Sequence, residues 1–267
     1  MHILITGKAG GLASCLADVL TEAGHQADIA PVFPENPTFD AVCYGTDLSR
    51  KETAAADLRD ILEACCCTAV RRFILFSSAA VYGETDGKRV DEAAPTAPVS
   101  ELGRILAAEE DLVRRYEAER GLQAVILRCG NIYGEGLEDD VVSRFASAVA
   151  RGREMTIFGD GDQSRDFVYI KDVARAAAAA VDSQAAPGIY NIGTQIETTV
   201  NAVKEILLYF SHAGSPVSYK EAREGDVRCS ALNNEKAIAA LKWRPKMKLM
   251  PGLMATYQYF LEKEDTE

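Results

Sequence analysis

The chain has no basic run longer than a pair, although its Lys and Arg residues number 29. Set against 40 acidic residues they leave a formal net charge of −11, which argues against a nucleic-acid partner. Any anionic ligand must therefore be held by local Arg or Lys residues against an unfavourable overall field. No apolar segment is long enough to span a bilayer, and no charged leader precedes the first strand, so the expectation is a cytoplasmic protein with no membrane partner. The seven cysteines are odd in number and lack metal-ligand spacing, which speaks against both a disulfide framework and a metal site. Cys65, Cys66 and Cys67 read as small apolar residues of a helix. No internal repeat or low-complexity linker is present. What remains is a chain of 267 residues, 48% hydrophobic, able to bury a sizeable core as one large domain or two interlocked ones.

The first half alternates strand and helix. His2–Thr6 is a β-branched strand, Leu12–Ala23 has helical periodicity closed by Gly24, and Gln26–Ala30 is a weak strand. Pro31, Pro34 and Pro37 make the next stretch irregular. Strand Phe39–Tyr44, helix Thr53–Cys67, strand Arg72–Ser77, helix Val99–Arg120 and strand Ala124–Arg128 follow. This order predicts an α/β fold, a Rossmann-like doubly wound parallel sheet covered by helices on both faces. From Tyr133 the texture becomes loop-rich. Phe167–Ile170 and Ile189–Ile192 read as strands returning to the first sheet, with the Ala-rich helix Asp172–Asp182 between them and Asp172 as its N-cap. Helices near Thr199–Ser211 and Asn234–Leu241 belong to a small C-terminal α/β lobe, where Trp243-Arg244-Pro245 serves packing and helix termination. The expected division is 1–132 and 166–193 for the main α/β domain, and 133–165 and 194–267 for the smaller lobe.

The turn Thr6–Ala13 joins the first strand to the first helix. Its Gly7, Gly10, Gly11 and Leu12 are the candidate cofactor-binding residues, because glycines let the backbone approach a pyrophosphate and the helix N-terminus offers free N–H groups. Lys8 is followed by Ala9 rather than by a hydroxyl residue, so the turn is not a P-loop. An acidic residue that would bind the adenosine ribose is missing: its place is taken by Pro31, and Asp28 lies three residues too early. There is also no room before Phe39 for the helix and strand that ordinarily complete an adenine pocket.

Six strings occur in a recognisable order: TGKAGGLAS, FILFSSAAVYG, LRCGNIYGEG, FGDGDQSRDFVYIKDV, YNIG and REGDVRCSALNNEKAIAALKWRPK. With them the chain resembles the NAD-dependent nucleotide-sugar epimerase/dehydratase branch of the extended short-chain dehydrogenases, of which UDP-glucose 4-epimerase is the type. The likeness covers nearly the whole chain. It implies NAD as cofactor and a nucleotide-linked sugar, carrying UDP or dTDP, as the small-molecule ligand. In that family a Ser, a Tyr and a Lys cooperate, the Lys depressing a Tyr pKa that is otherwise about 10. Here the resemblance puts Ser78 at the Ser position, but Glu101 and Ile105 where Tyr and Lys belong; a register one residue later offers Leu102 and Leu106.

Two readings of Glu101 stand side by side. It is an alternative acid/base, or it is a first-turn Glu placed for the helix dipole with Arg104 as countercharge. The substrate half keeps the family pattern better. The resemblance assigns Asn131 to the diphosphate, Phe158 to the nucleobase, and Arg165, Arg223 and Asp226 to phosphate and ribose; Arg suits phosphate because its donor fork is planar. Three functions follow as alternatives: an atypical epimerase or dehydratase using NAD transiently with Ser78 and Glu101, a non-redox enzyme, or a silent nucleotide-sugar-binding protein. The family likeness also makes a homodimer through Thr53–Cys67 and Val99–Arg120 the default expectation.

Overall fold

In the computed structural model, which describes all residues except Ala9, 35–37, 183–185, 212–213 and 265–267, the chain enters directly into β1 (His2–Gly7). Then come α1 (Gly11–Glu22), β2 (Gln26–Ile29), β3 (Ala41–Gly45), α2 (Ala54–Cys66), β4 (Arg72–Ser78), β5 (Arg89–Val90), α3 (Glu101–Arg120) and β6 (Ala124–Cys129). The second half holds β7 (Asn131–Tyr133), α4 (Val141–Ala150), β8 (Met155–Phe158), β9 (Ser164–Tyr169), α5 (Ile170–Asp182), β10 (Gly188–Ile192) and β11 (Glu197–Thr199). It ends with α6 (Val200–Ser211), β12 (Val217–Lys220), β13 (Ala231–Leu232), α7 (Glu235–Ala240) and α8 (Leu249–Glu264). Ala9 and Pro37, both part of the expected turns, lie outside the described residues.

Six parallel strands form the main sheet in the order β10-β6-β4-β3-β1-β2. The central strands are apolar along their length because both faces are covered, as expected of a parallel sheet. Ile3, Ile5, Cys43, Ile74 and Val125 face α1 and α5. Leu4, Val42, Tyr44, Phe73 and Leu75 face α2 and α3. The sheet ends at β2, so the strand that would lie beyond it is absent among the described residues.

Local chemistry sets the helix boundaries. The Ser100 side chain accepts from the Gly103 N–H at 3.1 Å and starts α3 at Glu101, so Val99 and Ser100 precede the helix. Gly121, at φ 71°, ends it.

The smaller lobe has its own core, built from Tyr133, Phe145, Met155, Phe167, Leu207 and Leu253 among others. Only Ile189–Ile192 returns to the main sheet, as part of β10. The Phe167 strand does not: β9 pairs with β7 and β11 in a separate three-stranded sheet. The reason lies in its side chains, because Phe167 and Tyr169 pack on the lobe around Tyr133 rather than on the main sheet.

Asp172 is not an N-cap. It sits inside α5, fully buried, and its carboxylate accepts from the Lys246 and Met247 N–H groups at 2.8 and 2.9 Å while pairing with Arg175. Its carbonyl accepts from Trp243 Nε1 at 2.8 Å, and Trp243 packs into the main-sheet core rather than the lobe. This carboxylate therefore locks the segment before α8 onto α5. Asp172→Ala leaves two amides and an Arg without their acceptor and should cost about 3 kcal/mol, read as a lowered midpoint in urea. A midpoint shift worth under about 0.5 kcal/mol would show that water replaces the carboxylate.

Candidate functional site

At the C-terminal ends of β1, β3 and β4 lies a cavity of about 240 Å³ whose wall is mostly apolar. Its lining comes from the glycine turn (Thr6, Lys8, Gly10, Gly11, Leu12), from Gly45, Thr46 and Leu48, from Phe76 and Ser77, from Leu102 and Leu106 of α3, and from Ile132 and Leu137. Gly7 has φ +87° and a Cβ there would fall 2.0 Å from the Gly45 carbonyl oxygen, so its role is close packing of β1 on β3. The same carbonyl accepts the Lys8 N–H at 2.7 Å. Gly10 has open space around the position of a Cβ, and α1 begins at Gly11 with no side-chain cap. Of the expected cofactor residues, Gly10, Gly11 and Leu12 line the cavity and Gly7 supports it from behind. This end fits a pyrophosphate. A Cβ on Gly11 would fall 2.4 Å from the Gly136 carbonyl oxygen, so the loop after β7 closes down on the turn.

The adenosine end is barer. Asp28 bonds His2 Nε2 at 2.7 Å, and β2 ends at Ile29 before Pro31.

On α3, the side chains that line the cavity are Leu102 and Leu106, one step around the helix from Glu101 and Ile105. Glu101 is 63% exposed and accepts both of its hydrogen bonds from Lys51 Nζ, at 2.9 and 3.0 Å. Arg104, its expected countercharge, instead donates to the Val99 carbonyl at 2.9 Å. Ser78 is half-buried, its Oγ accepting from the Ala80 N–H at 3.2 Å at the start of a 3₁₀ turn, and the cavity is lined by Ser77. The expected catalytic pair Ser78 and Glu101 is thus not brought together in the cavity; helix phase turns Glu101 outward.

Below the cavity lie charged residues that the sequence did not single out. Arg128, 2% exposed, is held by Glu110 through Nε at 3.0 and 3.1 Å and through Nη2 at 2.6 Å, and lies 4.6 Å over the Tyr82 ring. Ser77 donates to Glu110 Oε1 at 2.5 Å, and Tyr82 donates to Asn191 Oδ1 at 2.8 Å. Next to it, Glu109 is 1% exposed and accepts from Thr46 Oγ1 at 2.5 Å; its Oε1 has no partner. Burial pushes the Glu109 carboxyl up to about 7, only partly opposed by the Thr46 hydrogen bond. A Glu-Glu pair in a helix reads as solvated surface. The available signal was Arg128, a lone cation in an otherwise apolar strand.

Four of the residues expected on the substrate side form two pairs. Arg165 pairs with Asp226 through Nη2 and donates from Nη1 to the Ser164 carbonyl at 2.7 Å. The Arg223 guanidinium lies 4.1 Å over the Phe158 ring. Asn131, at the start of β7, is exposed and paired in register with Phe167, two residues from Arg165 on β9. The buried Asp166 carboxylate fixes this region: it accepts from Thr194 N–H and Oγ1 at 2.7 and 2.6 Å and from Gln195 N–H at 3.0 Å. Burial pushes its carboxyl up, and those hydrogen bonds oppose the shift. Among the described residues no cluster of three or more His, Cys, Asp or Glu could hold a metal, and no helix is long and apolar enough to cross a membrane.

Residues 47–193 match the NAD dependent epimerase/dehydratase family. The human dTDP-D-glucose 4,6-dehydratase is 31% identical over 201 residues, 72% of this chain and 57% of that protein. The UDP-glucose 4-epimerase of Mycolicibacterium smegmatis is 29% identical over 208 residues, 76% of this chain and 66% of that protein. The chain thus spans less than two thirds of the length of these curated relatives. The crystal structure of Thermotoga maritima UDP-glucose 4-epimerase with UDP-glucose aligns with a TM-score of 0.89 at 29% identity, covering 100% of both chains.

The raised Glu109 carboxyl has a consequence for stability. Because the folded chain binds this proton more tightly than the unfolded one, the contribution is full below the ordinary value of 4.5 and is lost as pH rises through about 7. Glu109→Gln should therefore gain up to about 3 kcal/mol on the wild type between pH 5 and pH 8, read from urea melts at the two pH values. An equal difference at both would place the titration elsewhere.

Proposed function

The chain belongs to the NAD dependent epimerase/dehydratase family, and from that premise we propose that it binds a UDP- or dTDP-linked sugar together with NAD, as an atypical epimerase/dehydratase. One observation carries the substrate half: Arg165 with Asp226 and Arg223 over Phe158 supply two cationic forks and an aromatic ring, and the exposed Asn131 lies on β7, the strand paired with the one that carries Arg165. This set suits a diphosphate, a ribose and a flat base. In this reading residues 1–132 and 166–193 hold the dinucleotide, and 133–165 with 194–267 hold the nucleotide sugar. The N–H groups at Gly10, Gly11 and Leu12 would hold the pyrophosphate, with Lys8 beside them. NAD, when bound, supplies a transient hydride acceptor. Ser78 would orient a sugar hydroxyl, and the outer faces of α2 and α3 are the proposed self-association surface of a homodimer. Cytoplasmic location is part of the same proposal.

A second reading is favoured by Leu102 and Leu106 on the cavity wall and by Glu101 bound to Lys51. No acid or base of α3 touches the cavity space directly, so the chain would bind the nucleotide sugar without turning it over. The alcohol oxidation common to the family needs a proton acceptor beside the reacting hydroxyl.

Calorimetric titration with UDP, and with NAD in the presence and absence of UDP, separates these. Binding of both, with NADH absorbance on adding UDP-glucose or dTDP-glucose, supports the redox reading. UDP binding without NAD leaves the second reading, and absence of UDP binding overturns both. Arg165→Ala and Arg223→Ala should each weaken UDP roughly 10- to 100-fold, the loss of a charge-assisted hydrogen bond or a desolvated stack. Glu101→Gln should leave UDP affinity within about twofold, as expected of an exposed ion pair.

A further inference from the structure

A hydroxyl has one proton and two lone pairs. Thr46 spends its proton on Glu109 Oε2 at 2.5 Å, so it turns only acceptor capacity toward the cavity it lines. Thr46 stands next to the phosphate-binding turn: the preceding residue, Gly45, accepts the Lys8 N–H at 2.7 Å, and Thr46 shares the cavity wall with Gly10 and Gly11. Phosphate oxygens accept and do not donate. An ionised Glu109 therefore opposes a diphosphate here twice, by holding the Thr46 proton and by charge repulsion. A protonated Glu109 reverses both effects: its own O–H can donate to Thr46 Oγ1, releasing the Thr46 proton toward the ligand. The second carboxylate oxygen, Oε1, is buried and unpartnered, so no competing donor holds the group in its charged form.

We propose that Glu109, acting through the Thr46 hydroxyl, sets whether this cavity presents a hydrogen-bond donor or only an acceptor to the diphosphate of a bound dinucleotide. The proposal rests on the cofactor half of the proposed function. Glu109 is a positioning residue and Thr46 makes the ligand contact. The step is a proton taken from solvent onto Glu109 as the dinucleotide enters, with no other bond made or broken.

The surrounding charges leave Glu109 free to titrate. Its neighbour Glu110 is committed to Arg128 and Ser77. On β3, burial and Glu109 itself push the Tyr44 hydroxyl up and keep it neutral. Asp47, next to Thr46, accepts from Ser49 and feels Lys8 and Arg50, and Arg50 pairs with Asp57 of α2. Burial holds the Glu109 carboxyl near 7, within the range an experiment can sweep.

The test is calorimetric titration of the full chain with NAD from pH 6 to pH 8.5, in buffers of different ionisation enthalpy. The wild type should take up a proton on binding, and its affinity should fall by up to about tenfold per pH unit above 7. Glu109→Gln, whose amide can donate to Thr46, should bind at pH 8.5 as the wild type does at pH 6, with no proton uptake. Thr46→Val should weaken binding at pH 6 and change it little at pH 8.5, and Thr46→Ser should keep the wild-type profile. A pH profile that survives in Glu109→Gln, or equal losses in Thr46→Val at both pH values, would overturn the proposal and leave the cofactor reading standing. If NAD fails to bind at every pH while UDP binds, the cofactor reading and this proposal fall together.

Discussion

The arrangement of the site depends on one buried ion pair, Arg128 with Glu110. Arg128 rises from β6, Glu110 descends from α3, Ser77 joins from β4, and the Tyr82 ring beneath the guanidinium leads on to Asn191 of β10. Burying two charges gains little net stability, because desolvation offsets most of their attraction. Breaking the pair is a different matter, since either partner alone would be an uncompensated charge in the core. The contact is therefore consistent with only one phase of α3, the one that also buries Leu106, Leu112 and Val113.

That phase decides what the cavity contains. With Glu110 turned to Arg128, Leu102 and Leu106 are carried to the cavity wall, Glu101 is carried outward to Lys51, and Glu109 is driven under the floor against Thr46. Two adjacent carboxylates on one helix thus meet opposite environments. Glu110 has a guanidinium and a hydroxyl. Glu109 has a single hydroxyl and an unpartnered oxygen, so desolvation governs it.

The lobe is joined to the main sheet by the same device in another form. Asp166 gathers the amides of Thr194 and Gln195, and Asp172 gathers those of Lys246 and Met247. Each carboxylate satisfies backbone donors that would otherwise be buried without partners. Through Asp166 the strand that carries Arg165 is held in place, which sets where its guanidinium meets Asp226.

The alternation of apolar strands and periodic helices was enough to specify a parallel sheet, because a strand buried on both faces cannot carry polar residues along its length. The need for glycine at position 7 came from the fold, because a Cβ there would fall 2.0 Å from the Gly45 carbonyl oxygen. Of the residues that the flanking strings singled out on the substrate side, the structure pairs Arg165 with Asp226 and lays Arg223 over Phe158. Other features were settled only by tertiary structure. The phase of α3 was open because shifting it by one residue rotates every side chain by about 100°, and the phase adopted buries Leu106, Leu112 and Val113 together with Glu110, which meets Arg128 eighteen residues further along the chain. The sheet joined by Phe167 and the true role of Asp172 were likewise set by distant partners. Local sequence determines which elements form, because periodicity and capping act over a few residues. Which face an element turns inward, and whether a buried carboxyl meets a cation or only a hydroxyl, is decided by groups the chain brings together from far apart.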